Sequence, residues 1–274
     1  MAHVKITTVN VNGIRAAYRK GMGEWLAEAA PEIALLQEVR ADDDTVTSLI
    51  GDGWTIVQQA CEIKGRAGVA ILTSLPVVEQ RLGLGDEPEV PVDTGRWVEA
   101  DLTVPGLDVP LTVVSVYVHS GTLTDQAKMD AKYSHLERMT ARLRELAADA
   151  AAGRREVLVA GDLNIVHTEK DIKNWRPNHN KTSGVLDDEI DYVTTWLGEI
   201  GLVDVHRTLA GDVQGPYTWW SQRGKAFDND AGWRIDYQLV TPGFASRARS
   251  AEVERAASYD TRWSDHAPLS VTYG

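Results

Sequence analysis

Short apolar runs rich in Val, Ile and Thr recur along the chain, each bounded by turn-forming or charged residues. Runs of this length, enriched in β-branched side chains, predict strands. They fall at residues 4–11, 33–36, 54–63, 69–73, 97–104, 111–118, 157–160, 235–240 and 267–272. Helical periodicity is rarer. Asp125 can cap a helix running to about Ala151, with Met129, Tyr133, Leu136, Met139 and Leu143 on one face. Shorter helices are expected over residues 22–29, 43–49 and 188–198. Many strands with few interspersed helices predict an α+β fold, two packed sheets flanked by helices.

Composition adds bounds. The chain has 274 residues, 43% apolar and 25% charged, the profile of a globular protein with a sizeable core. No repeat or Pro/Gly/Ser linker divides it, so residues 1–274 are expected to form a single domain; a monomer is the expected state. Cys61 stands alone, which excludes an intramolecular disulfide and any Cys-based metal cluster. The start, MAHVKITTVN, lacks a charged n-region followed by an apolar h-region, and no apolar run is long enough for a membrane span. A cytoplasmic protein with no membrane partner is therefore expected. The net charge of −12 is spread evenly, with local acidic clusters at residues 86–93 and 187–191. Taken alone, that charge argues against a nucleic-acid partner, which a basic patch normally announces.

The informative signal lies where each apolar run ends. Asn10 and Asn12 close the first run, and Glu38 closes the second. Tyr117 and His119 end another, and the run at 157–160 passes into Gly161-Asp162-Leu163-Asn164. Asp236 sits among apolar neighbours, and Asp265-His266 precedes the last run. Each piece alone reads as turn chemistry, a solvated charge or a core aromatic. Together they read as one cleft, because strand ends are where a rigid scaffold presents side chains.

Hard oxygen donors such as Glu38 and Asp265, without Cys, suit Mg²⁺. A His beside buried acids can neutralise developing charge, and an Asp near an Asn can orient or deprotonate water. This set favours metal-assisted hydrolysis of a phosphate ester. The chain has no Gly-x-Ser-x-Gly elbow for acyl transfer and no Gly-x-x-x-x-Gly-Lys-Ser/Thr phosphate loop.

In order, the motifs resemble the exonuclease III family of abasic-site endonucleases, within the endonuclease/exonuclease/phosphatase superfamily. They are Asn10-Val11-Asn12-Gly13-Ile14-Arg15-Ala16, Leu35-Leu36-Gln37-Glu38, Gly68-Val69-Ala70-Ile71-Leu72, Gly95-Arg96, Gly161-Asp162-Leu163-Asn164 and Asp171-Ile172-Lys173-Asn174. His167-Thr168-Glu169, Gly232-Trp233-Arg234-Ile235-Asp236-Tyr237 and Ser264-Asp265-His266 complete the set. The resemblance implies a four-layer α/β/β/α sandwich with pseudo-symmetric sheets. It implies Glu38 as the principal Mg²⁺ ligand (Mn²⁺ being the other candidate), with Asp265 and Asn12 near it and Asn10 bonding within the site. His266, oriented by Asp236, would contact the scissile phosphate. Asp162 would position or deprotonate water, Asn164 would hold water or phosphate, and Tyr117 would bond the phosphate.

The same resemblance implies a Mg²⁺-dependent DNA repair nuclease. Its expected actions are cleavage 5′ to abasic sites, 3′→5′ exonuclease action on duplex DNA, and removal of 3′-phosphates and 3′-phosphodiesters. The family's sugar pocket would be Trp219, Trp233 and Ile235, which gives a use to nine Trp against two Phe. Arg40 departs from the Lys usual after the Glu38 motif, and residues 179–187, including Lys181, match the family's DNA-contacting loop loosely. Arg15, Arg19, Lys20, Lys64, Arg66, Arg96, Lys181 and Arg234 are the expected basic face toward double-stranded DNA with abasic sites or 3′ ends. The alternative reading is a superfamily phosphatase acting on small phosphoesters or RNA ends.

Overall fold

The apolar runs do form strands, and they assemble into two sheets. The computed structural model describes residues 3–85 and 89–274, so residues 86–88 of the expected acidic cluster lie outside it. In chain order the strands are β1 Val4–Asn10, β2 Ile33–Gln37, β3 Thr55–Gln59, β4 Val69–Thr73, β5 Val77–Leu82 and β6 Trp97–Leu102. They continue with β7 Leu111–Tyr117, β8 Glu156–Asp162, β9 Val203–Asp204, β10 Asp236–Val240, β11 Ala248–Val253 and β12 Leu269–Tyr273. The helices are α1 Ile14–Arg19, α2 Met22–Ala29, α3 Asp43–Ile50, α4 Gln126–Ala151, α5 Trp175–Asn178, α6 Asp187–Gly198, α7 Val205–Ala210 and α8 Pro242–Ala245.

The sheets share one plan. Their strand orders are β11-β12-β1-β2-β4-β3 and β5-β6-β7-β8-β10-β9, six strands each. In each, the central pair is parallel, β1 with β2 and β7 with β8, and every other pairing is antiparallel. A parallel pair needs a crossover on one face; α1 and α2 supply it in the first sheet and α4 in the second.

Three apolar clusters make this a four-layer sandwich. Ile6, Leu35, Ile71, Val98, Val113 and Leu158 interlock between the sheets. Leu136, Met139, Leu143 and Trp196 seat α4 and α6 on the second sheet. Ile14, Met22, Leu26 and Val46 seat α1, α2 and α3 on the first. Central strands buried on both faces explain the unbroken apolar runs, since alternation requires one wet face.

Strand edges are where the expectations differ. β5 and β11 did not register as apolar runs, and both are terminal strands with largely exposed side chains. An edge strand carries charge on its open side, which masks the signal. The strand expected over 54–63 stops at Gln59, where its pairing with β4 runs out at Val69. α1, α5, α7 and α8 span six residues or fewer, too short to show a helical period. Asp125 caps α4 by accepting from the Lys128 backbone N–H. No helix of the described residues is long and apolar enough to cross a membrane.

Candidate active site

The parallel pairs bring four strand ends to one place. Register pairs Asn10 with Gln37 at the ends of β1 and β2, and Tyr117 with Asp162 at the ends of β7 and β8. The antiparallel neighbour β10 starts opposite Asp162, at Asp236. Ligand sites of open α/β sheets gather at the carboxyl ends of parallel strands for the same topological reason.

Tight turns then aim the polar groups. Asn10 Oδ1 accepts from the Asn12 backbone N–H at 2.9 Å, and Asp162 Oδ1 accepts from the Asn164 N–H at 2.9 Å. Asn12, Glu38 and Asn164 all take the left-handed backbone region, with φ of 47°, 49° and 50°. For Glu38 this is a conformation that costs energy, and such positions concentrate at functional sites. Turn chemistry and site chemistry therefore coincide in the same residues.

One amide joins the two sheets. Asn10 Nδ2 donates to Glu38 Oε1 and to Asp162 Oδ2, each at 2.9 Å. Asn164 Nδ2 reaches the same Asp162 oxygen at 3.3 Å and the Val118 carbonyl at 2.9 Å. His266 lies between two acids, its Nδ1 2.8 Å from Asp236 Oδ2 and its Nε2 3.7 Å from Asp162 Oδ2. Ser264 Oγ donates to the Asn10 carbonyl at 2.6 Å, which clamps the 264–266 segment onto β1. Asp265 accepts from Asn12 Nδ2 at 2.8 Å and from Trp219 Nε1 at 3.2 Å.

Burial and charge set the proton states. Burial would lower the His266 pKa, but the Asp236 and Asp162 carboxylates outweigh it and raise it to about 10, so the ring is an imidazolium at neutral pH. Burial pushes Asp162 up to about 7 against the opposing pull of His266. Burial, with Glu38 and Asp162 nearby, holds the Tyr117 phenol well above its usual range, leaving it a proton donor. Asp265 is held below the usual carboxylate range: burial opposes this, and His266, Trp219 and Asn12 overcome it.

One cluster among the described residues has the spacing of a cation site. Asp162, Asp236 and His266 each offer one ligand atom within 4.8 Å of the others. In that trio the imidazole is charged and its Nδ1 is committed to Asp236, so it serves better as a proton relay than as a cage. Glu38 and Asp265 are linked through Asn10 and Asn12, Asn10 Nδ2 donating to Glu38, Asn12 N–H to Asn10 and Asn12 Nδ2 to Asp265; their carboxylates are hard oxygens of the kind Mg²⁺ or Mn²⁺ takes. Arg40 pairs with Glu38 Oε2.

The remaining expected residues divide. Trp219, Trp233 and Ile235 come together beside His266: Trp219 meets Trp233 edge-on at 5.7 Å and pairs through its backbone with both Trp233 and His266. Lys181 is exposed on the segment after α5. Arg96 is buried, its guanidinium 5.0 Å from the Tyr117 ring and bonded to the Val92 and Tyr117 carbonyls, so it props Tyr117 from behind. Arg234 does not belong to a basic face. It is fully buried, donating to Asp171 Oδ1 at 2.6 Å, lying 2.8 Å from Asp204 Oδ2 and stacking on Tyr237. His119 is taken up by Asp93 at 2.9 Å.

Sequence reasoning missed one pair that organises the site. Lys132 and Glu189 form a fully buried ion pair at 2.7 Å. Lys132 Nζ also donates to the Asn164 carbonyl at 3.1 Å and to Ser183 Oγ at 3.2 Å, which ties the Asp162–Asn164 turn to the segment leading into α6. The signal was present: Lys132 stands between Met129 and Leu136 on the apolar stripe of α4.

Two mixed sheets packed between helices, with strand ends converging on an acid, amide and imidazole cluster, define the α/β/β/α sandwich class of phosphoester hydrolases. Within that class the chain belongs to the Endonuclease/Exonuclease/phosphatase family, whose sequence profile matches residues 7–266. It is 29% identical to an exodeoxyribonuclease of Bacillus subtilis over 98% of each chain. A 3′-5′ exonuclease from Neisseria meningitidis superposes with a TM-score of 0.83 at 28% identity, covering 98% of this chain and 99% of the other. An AP endonuclease from Archaeoglobus fulgidus superposes with a TM-score of 0.80 at 27% identity, over 98% of this chain and 99% of the other.

Proposed function

We propose that the protein is a Mg²⁺-dependent DNA repair nuclease. It cleaves 5′ to abasic sites, degrades duplex DNA 3′→5′ and removes 3′-phosphate and 3′-phosphodiester blocks, acting as a single-domain cytoplasmic monomer. The observation that carries this reading is the Asn10 amide, which joins the hard-oxygen donors around Glu38 to the Asp162–His266–Asp236 relay beside a two-Trp wall. The exonuclease and AP endonuclease to which the chain is similar support the same class of substrate.

Bound Mg²⁺, or Mn²⁺, on Glu38, Asp265 and Asn12 would supply Lewis-acid polarisation of the scissile phosphate. Asp162, held near neutral pKa by burial, takes a proton from the attacking water, with Asn10 and Asn164 fixing its oxygens. His266 stays charged against Asp236 and donates to a non-bridging phosphate oxygen as negative charge builds there. Tyr117, propped by Arg96, donates from its phenol to the phosphate as the water oxygen bonds to phosphorus and the P–O3′ bond breaks, the departing 3′ oxygen taking up a proton from solvent. Trp219, Trp233 and Ile235 receive the base-less deoxyribose, and Lys181 meets the DNA backbone.

Purified protein with Mg²⁺ should nick a duplex carrying a tetrahydrofuran abasic analogue and stop in EDTA. A duplex left intact sinks this reading. Equal rates on free nucleotide phosphates, with nicking indifferent to Trp233→Ala, would favour the small-phosphoester alternative.

A further inference from the structure

Asp265 differs from the other acids of the site in what compensates its charge. Glu38 faces Arg40, and Asp162 and Asp236 face His266. Among the described residues, Asp265 has no ion-pair partner of its own; each of its oxygens instead accepts one neutral N–H, from Asn12 and from Trp219. A carboxylate held by two neutral donors is oriented yet keeps its charge available to a cation.

The Trp219 donor is locked in place by backbone. Residues 218–220 run antiparallel to 265–267: Trp220 N–H donates to the Asp265 carbonyl at 3.2 Å, and Ala267 N–H donates to the Thr218 carbonyl at 2.8 Å. Trp219 also pairs with His266 and Trp233 across this ribbon. An apolar wall alone needs no nitrogen; besides its larger ring, Trp adds a hydrogen-bond donor, and here that donor is spent on Asp265.

We propose that Trp219 is a positioning residue for the cation site: its indole N–H holds the Asp265 carboxylate in its ligating orientation while its ring walls the pocket. The pocket's occupant rests on the nuclease reading, whereas the cation role does not. Partners that orient a ligating carboxylate are worth about 10–100-fold in metal affinity.

Trp219→Phe keeps an aromatic ring and deletes the donor. Mn²⁺ titration followed by the EPR signal of the free ion should show binding weakened roughly tenfold, with Trp233→Phe unchanged. In EDTA, fluorescence anisotropy on the tetrahydrofuran duplex should show Trp219→Ala binding more weakly than Trp219→Phe, because only Ala removes the aromatic wall. Mn²⁺ bound as tightly or more tightly by Trp219→Phe overturns the proposal, as does equal weakening in Trp233→Phe, which would mean general loosening. Wild-type protein that binds Mn²⁺ but leaves the duplex intact would count against the nuclease reading alone.

Discussion

His266 Nδ1 lies 2.8 Å from Asp236 Oδ2, with both side chains buried. Burial disfavours the imidazolium, yet the carboxylates of Asp236 and Asp162 raise its pKa to about 10. An unfolded His titrates near about 6.5, so the stability this charge contributes is fully present below that pH and is lost as pH rises toward 10. Urea denaturation from pH 6 to 10 should show the margin of wild type over His266→Gln shrinking with pH. A margin flat across that window rules out the charged pair.

Asp162 carries the opposite consequence for rate. Burial raises its pKa to about 7, so the base form is depleted in mild acid and complete only above neutrality. The kcat/KM on an abasic duplex should climb with pH through about 7. Asp162→Asn should cost about 10²–10⁴ in kcat and abolish that limb, while duplex binding in EDTA persists. A limb retained by the variant would assign the proton to another group.

The Lys132–Glu189 pair predicts a stability signature. Removing one partner of a buried pair leaves an uncompensated charge and costs about 3–5 kcal/mol. Lys132→Met should lose that much in urea denaturation, and adding Glu189→Gln, which removes the unpaired charge while its amide oxygen still accepts from Gly184 and Leu186 N–H, should recover part of it. The single variant should also lose activity, because Lys132 holds the Asn164 carbonyl. A double variant no more stable than the single one contradicts this role for the pair.

Gly161 sets how closely β7 and β8 approach next to Asp162. A Cβ there would collide with the Val116 carbonyl oxygen, which is backbone and cannot swing away. Gly161→Ala should therefore lower the melting temperature and displace Asp162, with activity falling more than duplex affinity. Wild-type melting and turnover would show that the strands can part at no cost.

Strand cores, and the turns that close them, were legible from local sequence. Central strands are buried on both faces, so their apolar runs are local and unbroken, as in Val69–Thr73. Asn10-x-Asn12 and Asp162-x-Asn164 form their turns from side chain to backbone two residues on, a geometry a short motif contains whole. Charged edge strands β5 and β11 were hidden, because exposure removes the selection for apolar side chains. How the pieces meet was settled by packing in three dimensions. Asn10 reaches Asp162 across 152 residues because the two sheets stack with their parallel pairs at one end. Packing also turned Arg234 inward onto Asp171 and Lys132 onto Glu189. A charge reads as solvated or buried only once its neighbours are known, and those neighbours are fixed by sheet register and layer packing.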